Sequence, residues 1–374
     1  MSVTMMFGSF IAGSTSEGGA SVAFPVMTLV FGIAPAIARD FSFMIQSCGM
    51  TSASATILLM GVQIDYRALF YGTVGGVAGI ILGLELVVPR LEPPFAKMYF
   101  VCIWASFAAS LFWLNKLHGR RVFSEIPDWS SGQLAPSGPL SLVNYKAVLL
   151  VLFGFLGGIF SAIGGAGLDI CMFSALTLLF RVSEKVATPT SVLLMGFNTL
   201  VGFSYTEWAL GGVQPRAWTF FAVCVPIVVV CAPFGALCSS HWHRLVHANL
   251  VYFIDTAQLI TALYVIRPWT HLKTDTPTKL TVSSALILVA GLVFFSLTAL
   301  AGQMLLKQHG YPLLSDEALE RKQLRDAAAG TGAGMGTAGG SVGGVAAPPA
   351  TVDDKLEYGS YGGSVNRSGL SIAA

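Results

Sequence analysis

Between two apolar runs lies Gly13–Pro25 (GSTSEGGASVAFP), a polar interruption with three glycines, four hydroxylated residues, one carboxylate and a proline. These residue types suit the holding of an anion. Glycine lets a ligand approach the backbone closely. A helix that starts after such a break offers free N–H groups and the positive end of its dipole, which together form an anion site from backbone alone. Ser16 and Ser21 add hydroxyl donors beside Gly18 and Gly19, and Ser42 and Gln46 follow on the next apolar run. A second glycine cluster, Gly164-Gly165-Ala166-Gly167-Leu168, is followed by Thr190, Ser191 and Asn198. The expected substrate-binding residues are Ser16, Gly18, Gly19, Ser21, Ser42, Gln46, Gly164, Gly165, Thr190, Ser191 and Asn198. Arg39 is the cation best placed for an anion, unless it only pairs with the adjacent Asp40 at the membrane surface. Glu17, Asp169 and Asp255 are carboxylates at membrane depth, where ionisable groups are costly and point to function. They are candidates for proton coupling, and Glu17 could instead pair with Arg39 or face an aqueous mouth.

The elements that must carry these residues are membrane helices. Of 374 residues 54% are hydrophobic and 11% charged, and the mean hydropathy is +0.70. A soluble domain carries about 25% charged residues. Apolar segments run near the roughly 20 residues that cross a bilayer, which predicts an all-α polytopic membrane protein with about 8–10 membrane segments. Segments 3–13 with 19–37, and 145–163 with 166–181, read as two discontinuous helix pairs. The chain then divides into a first transmembrane repeat (1–115), a polar connecting loop (116–144), a second repeat with a final helix (145–306) and a Gly/Ala/Ser-rich tail (307–374). Gly18–Val22 matches Gly164–Leu168, and Ala38–Ser42 matches Ala187–Ser191, in the same order. Paired interruptions in two hydrophobic halves point to a transporter site at the repeat interface. The competing use of glycine is close helix packing, to which the Gly72, Gly75, Gly76, Gly79 and Gly83 series is assigned.

The net charge of +2 says nothing about nucleic acid, and no basic cluster of the nucleic-acid-binding kind exists, so no nucleic acid is expected; the partners expected are lipid and a small anionic substrate. Lys and Arg are nearly balanced between the two sets of loops, so the positive-inside rule assigns no orientation. The six cysteines lie in apolar runs, which argues against a disulfide framework. Cys224, Cys231 and Cys238 recur every seventh residue as a packing stripe. His241, His243 and His247 read as an interfacial basic cluster with Arg244, so no metal and no cofactor is expected.

Two stretches, residues 8–47 with "FGIAPAIA" and residues 154–195 with "GGAGLD" and "VATPTS", resemble the TauE/SafE-type sulfite exporter family. The resemblance implies transport of sulfite, a sulfonate or a related organic anion. It makes Gly18, Gly19, Pro25, Gly164 and Gly165 motif residues, with Ser42 and Ser191 as follow-up serines. Glu17 departs from the family pattern, which has glycine or a small neutral residue there. Asp169 and Cys171 replace an apolar residue and a proline. An anion channel, or a membrane receptor or scaffold that transports nothing, is the alternative. An intramembrane protease is disfavoured, because "GAGLD" misses the aspartyl spacing and no histidine lies mid-span.

Overall fold

The computed structural model describes residues 1–15, 17–115, 121–129, 144–239, 244–267 and 275–314. Ser16, most of the polar loop, His241, His243, the His247 side chain and the Gly/Ala/Ser-rich tail lie outside the described residues. Within these bounds the chain forms eleven α-helices and no named strand. A parallel bridge, Phe123 to Val182, ties the early part of the connecting loop to the chain before α8.

The first break separates α1 (Ser2–Ser14) from α2 (Ala20–Pro25). Helix α2 runs into a π-type turn at Val26–Val30, closed by the Phe31 N–H on Val26 O. Gly32 then takes a left-handed conformation (φ 65°) and α3 (Pro35–Leu59) begins. Pro35 suits that start, since a first-turn proline has no N–H to leave unpaired. The second break separates α6 (Tyr145–Gly164) from α7 (Leu168–Ser174). A π-type turn at Ala175–Leu179 follows, closed by the Phe180 N–H on Ala175 O. Arg181 takes the left-handed conformation here (φ 56°), ahead of α8 (Glu184–Trp208).

Helix α4 (Tyr66–Leu82) is capped by Asp65, whose Oδ1 accepts the Arg67 and Ala68 N–H groups at 3.0 Å. A π-type and a 3-10 turn extend α4 to Arg90, and α5 covers Pro93–Asn115. In the later part of the chain α9 covers Pro215–Ser239, α10 Arg244–Ile266 and α11 Asp275–Gln308. Among the described residues six helices are long and apolar enough to cross a membrane: those at 66–90, 93–113, 145–164, 184–208, 215–239 and 279–308. The broken pairs and α10 supply shorter apolar helices. The protein is a multi-pass integral membrane protein.

Glycine seams hold the bundle together. On α4, a Cβ at Gly75 or Gly79 would collide with the carbonyl oxygens of Val151 or Phe155 on α6. In return, Gly154 and Gly158 press on Gly72 and Gly76. The Gly13 backbone of α1 meets Ala232 on α9, and Gly235 of α9 meets Phe10. Small residues let backbones approach where lipid provides no hydrophobic drive between helices. Most buried hydroxyls are satisfied locally: Ser9, Thr28, Thr177, Thr199 and Thr206 each donate to the carbonyl four residues back. That pattern meets the demand that polar groups in a bilayer find partners inside the protein. The described helices fall in one compact unit, Met1–Arg321; the other unit, Lys322–Ala374, lies outside the described residues.

Candidate functional site

The two breaks meet in the interior. The Gly18 N–H of the first break donates to Asp169 Oδ2 at 2.5 Å. The other oxygen of Asp169 accepts the N–H groups of Gly167 and Ile170, each at 3.0 Å. Main-chain donors from both interruptions therefore converge on one carboxylate. Asp169 is 1% exposed and no cation pairs with it among the described residues. The Leu168 N–H is taken by Ser161 Oγ at 3.0 Å, which completes the start of α7. Gly167 (φ 145°) adopts a backbone conformation that residues with a Cβ rarely reach. Gly165 (φ 86°) ends α6 in the left-handed form common at helix C-termini.

Helix α3 closes the site from one side. Gln46 Nε2 donates to Gly165 O at 2.6 Å and to Ser42 O at 3.3 Å, while Gln46 Oε1 is buried without a partner. A Cβ on Gly18 would strike Gln46 Oε1 and approach Asp169 Oδ2, and one on Gly165 would strike Ser42. Ser21 and Ser42 are both fully buried, and neither hydroxyl has a partner. They depart from the local back-bonding that satisfies most other hydroxyls in the bundle, and both border the breaks. Gly19 packs on Ala12 and Gly8 of α1. With Ser9, Gln46 and Val228 it borders a narrow cleft between α1, α3 and α9, with room for about one water molecule.

The remaining expected residues are arranged differently. Arg39 forms an ion pair with Asp40 at 2.7 Å, and Asp40 Oδ2 also accepts the Gln214 N–H at 3.2 Å. The Asp40 carboxylate thus braces the start of α3 against the α8–α9 turn, with Arg39 paired to it. Thr190 donates to Val186 O at 2.6 Å and accepts the Asp65 N–H at 3.0 Å, which ties α8 to the head of α4. Ser191 donates to Thr188 O at 2.8 Å. Asn198 donates to Leu194 O at 2.8 Å; its Oδ1 is unpartnered and lies against Gly76. Gly164 packs against the Phe100 ring of α5. Gly167 and Ile170 were not among the expected ligands, although both contribute main-chain N–H groups of the expected kind; the third glycine of "GGAG" was the available sign.

Glu17 belongs to a separate polar group. Its side chain faces Asp255 of α10 within hydrogen-bonding reach, and no donor meets the oxygens of either buried carboxyl in good hydrogen-bond geometry. Ser21 lies beside Glu17, and Asp169 acts on it through space.

The sequence matches the model of the family described as Sulfite exporter TauE/SafE over residues 1–264. No curated protein and no solved structure matches the chain.

Proposed function

The chain belongs to the sulfite exporter TauE/SafE family, a family of membrane transporters, and from that premise we propose that it is a secondary transporter of a small anion. Sulfite, a sulfonate or a related organic anion is held between the two glycine-rich breaks. One observation carries this reading: the breaks already hold an anionic group, the Asp169 carboxylate, through N–H donors of Gly18, Gly167 and Ile170. An incoming oxyanion takes the Gly18 N–H from Asp169 and recruits the spare hydroxyls of Ser21 and Ser42 in place of its hydration shell. Hydrogen bonds to a charged partner contribute about 1.5–3 kcal/mol each, so a few of them discriminate strongly among anions.

The same reading makes the chain a twofold repeat. Val26 and Ala175 open the two π-type turns, Pro35 and Glu184 open α3 and α8, and Tyr66 and Pro215 open α4 and α9. All three pairs share one sequence offset. At that offset Gly18 corresponds to Gly167, so the copies align from the breaks onward without a gap. Alternating access follows from relative motion of two bodies around the breaks.

The test is exchange of labelled sulfite, a sulfonate, sulfate and acetate by purified protein in liposomes. A transporter gives saturable exchange that the unlabelled anion of the same type accelerates from the opposite side. A channel gives flux without that trans-acceleration, and a receptor or scaffold gives none.

A further inference from the structure

We propose that Glu17 and Asp255 form a proton site, in which one proton is held between their facing carboxyl oxygens. Four observations carry it. Glu17 is 0% exposed and Asp255 1%. The two side chains face each other, one from the first break and one from α10. No donor meets any of the four carboxyl oxygens in good hydrogen-bond geometry, with the Ser21 hydroxyl the nearest candidate beside Glu17. Two further buried polar groups are also unpartnered: Ser21 Oγ, which adjoins Glu17, and the Gln258 amide, one turn along α10 from Asp255. Two ionised carboxylates in contact and away from water would repel each other and leave every acceptor unsatisfied. A protonated carboxyl becomes a donor, so a single proton supplies the missing hydrogen bond and removes one charge. Asp255 and Asp169 are the charged groups that act on Glu17, and Glu17 is the one that acts on Asp255. No Lys, Arg or His forms an ion pair with either among the described residues.

The site has a direct mechanical link to the anion site. The Gly18 N–H that holds Asp169 belongs to the peptide between Glu17 and Gly18. When the proton leaves, Glu17 and Asp255 repel, Glu17 moves, and that N–H is carried away from Asp169. No bond other than that of the exchanged proton is made or broken. The role in transport rests on the anion reading above; the existence of the site does not.

Infrared difference spectra of the full-length protein in lipid test the proposal, with the bath moved from about pH 5 to about pH 9 in sodium or potassium salt. A protonated-carboxyl carbonyl band that titrates in the wild type, is lost in both Glu17→Gln and Asp255→Asn, and is the same in either salt supports the proton site. Glu17→Asp, which keeps a carboxyl and is expected to shift the band, serves if an amide variant does not fold. A spectrum unchanged by the substitutions overturns the proposal, and a band abolished by sodium at constant pH identifies a sodium site instead. Sulfite exchange is read separately in the same vesicles. Its absence in the wild type would count against sulfite transport and leave the infrared result standing.

Discussion

At the level of single residues, the site divides polar groups by whether they have spare hydrogen-bonding capacity. Thr190 and Ser42 are both buried hydroxyls on long helices, yet Thr190 is engaged twice and Ser42 not at all. Thr190→Val leaves the Asp65 N–H without its acceptor and is expected to lower unfolding stability by about 1–3 kcal/mol, read as a drop in Tm, with KM for the anion unchanged. Ser42→Ala removes a hydroxyl that the folded protein does not satisfy. It is expected to leave Tm in place and raise KM about tenfold, the equivalent of one hydrogen bond to an anion. A reversal of these two patterns would show that α8, not α3, supplies the ligand hydroxyl. Glycine clusters and stray carboxylates inside apolar runs were legible from residue type alone. Which hydroxyls had spare capacity was not, because the partner of Thr190 lies in the α3–α4 connection and that of Gly18 lies beyond α6. The ion pair of Arg39 with its neighbour was legible as one of two alternatives, and the structure realises it.

At the level of elements, glycine has two uses that sequence separates only by context. On α4 and α6 it recurs at helical spacing without interruption, and the two helices press backbone to backbone. Gly79→Ala would push a methyl into the Phe155 carbonyl, and the helices can yield only by separating. Overpacking of this kind costs about 1–3 kcal/mol, so a lower Tm is expected, together with anion affinity close to that of the wild type. At the breaks glycine clusters with hydroxyls and acids, and there the helices end. Both discontinuous pairs were legible for that reason, with the short helices within a few residues of their expected bounds. The register between the copies was harder to read. Matching "GGAS" to "GGAG" by residue identity sets Gly18 against Gly164, whereas the twofold repeat proposed above, aligned on its π-type turns, sets it against Gly167. Backbone geometry of this sort leaves little trace in residue identity: the left-handed position is Gly32 in one hook and Arg181 in the other.

At the level of the whole molecule, the packed bodies cut across the two halves of the sequence. Helix α4 packs chiefly on α6, while α9 packs on α1 and α3. Helix α8 packs on both α3 and α4, so the proposed alternating access is tested at the α3–α8 contact, where Gly196 meets Met50 and Ser54. In a background without the six native cysteines, Ser54→Cys with Gly196→Cys is expected to stop anion exchange on oxidation and restore it on reduction; exchange that persists through the cross-link would place the motion elsewhere. The central claim, that a transported anion is held where the breaks meet, is tested most directly at Gly18. Its N–H faces Asp169, and a Cβ there meets the movable ends of Gln46 and Asp169 rather than another backbone. The decisive measurement is labelled-anion exchange in liposomes by wild type and Gly18→Ala, each monodisperse and reconstituted at equal density. The account predicts robust exchange of at least one of sulfite or a sulfonate by the wild type and a loss of tenfold or more, about 1.4 kcal/mol, in the variant. Exchange by Gly18→Ala at the wild-type rate and KM would contradict it.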